Sequence, residues 1–75
     1  MIIQKDSDLG QNISILLNFI QSETLNDRYN IIDDTIYCDI ELISEIMNLS
    51  SNKNKKLNIE QISSAIEEIS NQFEV

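Results

Sequence analysis

Residues 57–73 read LNIEQISSAIEEISNQF. Ile59, Ile62, Ile66, Ile69 and Phe73 recur at alternating steps of three and four. On an α-helix a residue shares a face with its neighbours three and four positions on, so this spacing predicts a helix with one apolar stripe. Glu60, Gln61, Ser63, Ser64, Glu67, Glu68, Ser70 and Asn71 fill the opposite face. Asn58 is placed as an N-cap, and Gln61 three residues later can reach back as in a capping box. A stripe this narrow has to meet other apolar surface, in the same chain or in another molecule.

Leu9, Ile13, Leu16, Leu17 and Ile20 keep helical spacing, and Ile15 and Phe19 widen their face. They predict a first helix over residues 8–25, capped by Ser7 or Asp8 and ending near Glu23–Asn26. Gly10 weakens its first turn by about 1 kcal/mol relative to Ala. Residues 39–49, DIELISEIMNL, predict a second helix, with Asp39 as N-cap and Glu41 where the helix dipole favours negative charge. Residues 50–56, SSNKNKK, read as a polar loop.

Between the first two helices, residues 26–38 read NDRYNIIDDTIYC, rich in types that favour extended structure. Asp33-Asp34 fits a hairpin turn, a weaker signal than Asn-Gly, and an extended connection across the helices is the alternative. Ile2-Ile3 reads as a strand end or as a tail packed on the core. With no Pro, no repeat and no linker, residues 1–75 are expected to form a single small domain. Its predicted class is mostly α, three helices with a short extended segment or β-hairpin between helices 1 and 2.

A domain of this size buries only about 60% of its unfolded surface, so its core supplies few kcal/mol and recruiting a partner becomes attractive. Cys38 is the only cysteine and there is no His, which excludes an internal disulfide and a structural zinc site. Cys38 has no base to activate it, and no lysine lies in an apolar run that would lower its pKa. Asp33-Asp34 reads as a turn, and Glu67-Glu68 as a solvated face, because adjacent helical residues do not face each other. Asp6-Ser7-Asp8-Leu9-Gly10 lacks the Gly at position six and Glu at position twelve of a calcium loop. The expectation is a protein with no catalytic residues, no metal and no cofactor.

The 13 acidic and 5 basic residues give a net charge of −8, spread over both halves of the chain. Such a field repels nucleic acid and acidic membranes and favours basic partners; the plainer reading is that it keeps a small protein soluble. Ile makes up about a fifth of the chain and Asn and Ser are abundant. Ile-, Asn- and Lys-type codons are AT-rich, which points to an AT-rich genome, such as a low-GC bacterium, its phages or plasmids, or a large DNA virus. The Met1-Ile2-Ile3 start is too short for a signal core, and no run approaches the ~20 apolar residues of a membrane span. With a lone cysteine, an intracellular, cytoplasmic setting and no membrane partner are expected.

Cys38-Asp39-Ile40-Glu41-Leu42-Ile43, together with size and acidity, resembles the helix start of acyl carrier proteins. That family attaches its cofactor at a Ser, where this chain has Asp39, so the resemblance implies no carrier activity here.

The leading expectation is a non-enzymatic protein-protein interaction module, a small acidic inhibitor or regulator from a phage, virus or mobile element that binds a basic host protein. Ile59, Ile62, Ile66, Ile69 and Phe73 would form its apolar contact, and Glu60, Glu67 and Glu68 its acidic rim. One alternative is a helix-turn-helix or winged-helix-like nucleic-acid binder using Lys53, Lys55 and Lys56; the acidic third helix argues against it, because affinity for nucleic acid comes mainly from neutralised phosphates. The other is a structural homo-oligomer closed by the third-helix stripe.

Overall fold

Residues 2–73 are described by the structure, a computed structural model; the Phe73 side chain lies outside the description. The chain runs β1 (Ile2–Gln4), α1 (Asp8–Ile20), a 3-10 helix (Glu23–Arg28), β2 (Asn30–Ile32), β3 (Thr35–Tyr37), α2 (Ile40–Leu57) and α3 (Glu60–Phe73). The three predicted helices are present, and the hairpin alternative for the segment between the first two is the one adopted.

Ser7 starts α1 by accepting the Gly10 N–H at 3.0 Å while its hydroxyl donates to the Gln4 carbonyl at 2.5 Å. The helix stops at Ile20, short of the predicted Glu23–Asn26, because Gln21 turns left-handed at φ 51° and its N–H closes on the Leu17 carbonyl. The chain then re-forms as the 3-10 helix, which buries Leu25.

The β2–β3 turn is Asp33-Asp34, with φ of 49° and 61°. Two successive left-handed residues give the turn whose twist matches that of paired strands. Ile2-Ile3 proves to be a strand: β1 pairs antiparallel with β3, giving the order β1-β3-β2.

Asp39 caps α2 as predicted, accepting the Leu42 N–H at 2.7 Å. The predicted loop at residues 50–56 does not exist; those residues are the last two turns of α2, which runs on to Leu57. Tertiary contacts hold them helical. Ser50 is fully buried, Lys53 docks on α1, and Lys55 and Lys56 fall in the last turn, where cations offset the dipole. Asn58, expected to cap α3, is instead the left-handed end of α2 at φ 53°. Asn54 accepts the Ile59 N–H at 2.8 Å ahead of α3.

The core gathers one face of each α-helix and of strands β1 and β3. Ile13 and Leu16 of α1 meet Leu42, Ile43 and Ile46 of α2 and Ile62, Ala65 and Ile69 of α3, with Ile3 and Ile36 closing it from the sheet. The α3 stripe is therefore internal, centred on Ile62, Ala65 and Ile69.

Candidate protein-binding surface

Burial divides the residues expected to form a partner surface on α3. Ile62 and Ile69 are in the chain's own core and cannot contact anything else, while Ile59 and Ile66 are half-buried against that core. Glu60, Glu67 and Glu68 remain on the exposed face of α3, where Glu68 accepts the Asn12 side-chain amide at 2.6 Å. Among the described side chains, what is left on α3 is an acidic polar face without an apolar centre; the side chain of Phe73, the fifth residue of the predicted contact, lies outside the description.

The lysine cluster is also rearranged. Lys53 turns inward, donating to the Phe19 carbonyl at 2.7 Å and covering the Phe19 ring. Lys55 and Lys56 stay exposed on the last turn of α2. The hairpin stands before α2 rather than after α3, so no wing flanks α3 among the described residues.

Exposed apolar side chains lie elsewhere: Leu49 and Leu57 singly on α2, and a larger group on the sheet. The register aligns Ile3, Ile36 and Ile31 in one row, and Ile2, Tyr37 and Asn30 in the next. Side chains alternate across a strand, so with Ile3 and Ile36 buried, the neighbouring rows must face solvent. They do: Ile2 is 67% exposed, Ile32 56% and Tyr37 40%. Ile32 sits on the outer face with Gln4 and Thr35, diagonal to Tyr37. Asp33 and Asp34 bound this face at the turn, and beyond Tyr37 come Asp39 and the exposed Ile40.

Every described carboxylate is exposed. Arg28 is held by Glu45 and, at 3.8 Å, by Asp39, so its charge is locally balanced. Cys38 is buried, and burial pushes its thiol up from the ordinary value, which makes it a poor nucleophile at neutral pH. Among the described residues no three His, Cys, Asp or Glu side chains are grouped to hold a metal ion, and no helix is long and apolar enough to cross a membrane.

The sequence did carry a sign of this surface. Ile2-Ile3 and Ile31-Ile32 are apolar doublets in three-residue strands, and alternation sends one member of each doublet outward. Comparison with protein-family models, with curated proteins and with solved structures finds no match in any of the three.

Proposed function

We propose that the chain is a non-enzymatic interaction module that binds a basic protein through the outer face of its sheet. The observation that supports this is the exposed set Ile2, Ile32 and Tyr37 between Asp33-Asp34 at one end and Asp39 at the other. Apolar contact at the centre supplies affinity. The acidic ends, within a field of −8, steer a cationic partner and set its orientation. Aromatic residues such as Tyr37 are enriched in the centres of such interfaces, and a polar rim surrounds them. A partner of this charge is well represented by nucleic-acid-binding proteins, whose basic surface the module would occlude as a small inhibitor or regulator.

Affinity capture from a lysate of the source cell, or of its host, tests this when run with the wild type beside an Ile32→Ser/Tyr37→Ser double variant. The reading expects a basic protein that survives nuclease, is retained by the wild type, and is lost from the variant while circular dichroism is unchanged. Equal capture by both proteins rejects the sheet face. Capture that vanishes with nuclease transfers the function to nucleic acid and to Lys55 and Lys56.

A further inference from the structure

Both β1 and β2 are edge strands among the described residues, and the inner row of the sheet is buried at β1 but exposed at β2. Ile3 and Ile36 are 4% and 0% exposed, whereas Ile31, aligned with them on β2, is 45% exposed. Among the described residues β2 has β3 on one side and no strand on the other.

The phase of the ladder decides which backbone groups line that edge. The Lys5 N–H donates to the Asp34 carbonyl at 2.8 Å. Asp34, and with it Ile36, therefore turns its peptide groups toward β1. Thr35 and Tyr37 turn theirs toward β2, where the register sets them opposite Ile32 and Asn30. Alternation in an antiparallel ladder then leaves the Ile31 N–H and C=O directed away from β3. A cavity of about 120 Å³ adjoins Ile31, walled by Lys5, Ser14, Leu17, Asn18 and Tyr29. The Ser14 hydroxyl is buried with no hydrogen-bond partner among the described residues. Ile31 thus combines an outward-facing backbone pair, a half-exposed apolar side chain and the wall of a cavity.

We propose that an extended basic segment of the partner adds to β2 as a fourth strand through the Ile31 N–H and C=O, extending the order to β1-β3-β2-partner. The proposal rests on the reading that the partner is a basic protein. Open edges are templates for strand addition, and proteins that avoid it use charged side chains, Pro, bulges or very short strands; β2 is only three residues long, but Asn30, Ile31 and Ile32 include neither a charge nor Pro. In this mode main-chain hydrogen bonds supply affinity, and alternate side chains supply specificity. The added residue beside Ile31 lies in the inner row over the cavity, and its two neighbours lie on the outer face beside Asn30 and Ile32. Exposed Asp27 precedes β2, with Arg28 after it already paired to Glu45 and Asp39, and Asp33 and Asp34 follow the strand, so cations at the ends of the segment meet carboxylates. A second copy of the chain brings another −8 to the same edge and is disfavoured on charge.

The test is calorimetric titration with a capped octapeptide of alternating Lys and Val, beside the same peptide N-methylated at every amide, in physiological salt. The two peptides carry equal charge, and only the first can form a strand ladder. The expected result is binding about tenfold weaker for the methylated peptide and for the Ile31→Pro variant. Proline removes an N–H that the β2–β3 ladder does not use, and edge strands tolerate it there. Should that variant fail to fold by circular dichroism, the peptide pair on the wild type still decides. Equal binding of the two peptides, an unaffected Ile31→Pro, or no binding by either peptide overturns strand addition. So does a wild-type dimer that Ile31→Pro dissociates, since the edge then belongs to a second copy. If the basic partner is captured while strand addition fails, the sheet-face reading survives; if no basic protein is captured, that reading fails by itself.

Discussion

The Lys53 ammonium donates to the Phe19 carbonyl at 2.7 Å and lies 4.9 Å from the centre of the same residue's ring. One side chain of α2 thus serves the C-terminal turn of α1, where carbonyls lack helical partners and a cation is favoured. A hydrogen bond to a charged group and a cation-π contact act together here. Lys53→Ala is expected to cost about 1–2 kcal/mol in urea unfolding, whereas Lys55→Ala should stay within about 0.5 kcal/mol. Equal effects would mean that the Phe19 contact adds nothing.

Gly10 reverses a rule of helix propensity. Alanine is the better helix former by about 1 kcal/mol. Yet a Cβ at Gly10 would stand 2.8 Å from the Lys5 Cα and press on the Gln4 carbonyl, backbone that cannot move without pulling β1 out of the sheet. Gly10→Ala is therefore expected to destabilise by about 2 kcal/mol or more, read as a lowered urea midpoint. A neutral or raised midpoint would contradict the close approach of β1 to α1.

At the hairpin, Asp33 and Asp34 each hold a left-handed conformation that costs L-residues energy, and their like charges are adjacent. Asn-Gly is the preferred pair for this turn. The double substitution Asp33→Asn with Asp34→Gly should raise stability by about 1 kcal/mol, visible as a higher melting temperature. A lower melting temperature would mean that the carboxylates contribute contacts beyond the turn itself.

Cys38 supplies a dependence on pH. Burial holds its thiol neutral to higher pH in the folded chain than in the unfolded one. The unfolded chain therefore binds fewer protons once pH passes the free thiol value of about 8.5, and stability falls from there upward. Below that pH the contribution is constant. Cys38→Ala should lose less stability than the wild type between neutral and strongly alkaline pH, measured by denaturant unfolding at each pH. Parallel losses would show that the thiol ionises alike in the folded and the unfolded chain.

The three helices were legible because spacing of three and four occurs in each, at Ile13, Leu16 and Ile20, at Ile43, Ile46 and Met47, and at Ile62, Ile66 and Ile69. Their ends were not legible, because distant contacts set them. Ser50–Lys56 has the composition of a loop, and the reach of Lys53 to Phe19 ties it to α1 as helix. Asn58 has the right type for a cap at either of two helices, and its left-handed φ assigns it to the end of α2. The apolar face was misplaced for a different reason. Periodicity shows that Ile62 and Ile69 share a side but not what covers it, and here the chain covers them itself. The exposed Ile32 and Tyr37 belong to strands too short to display an alternating pattern.

Asn54 joins both sides of the α2–α3 corner. Its carbonyl accepts the Asn58 N–H, its side-chain oxygen accepts the Ile59 N–H, and its amide donates to the Ser63 hydroxyl, which in turn donates to the Ile59 carbonyl. No one of these bonds can break far without loosening the others. In amide hydrogen exchange, the end of α2 and the start of α3 should therefore open and close as one cooperative unit, with a shared rate rather than progressive fraying from Leu57.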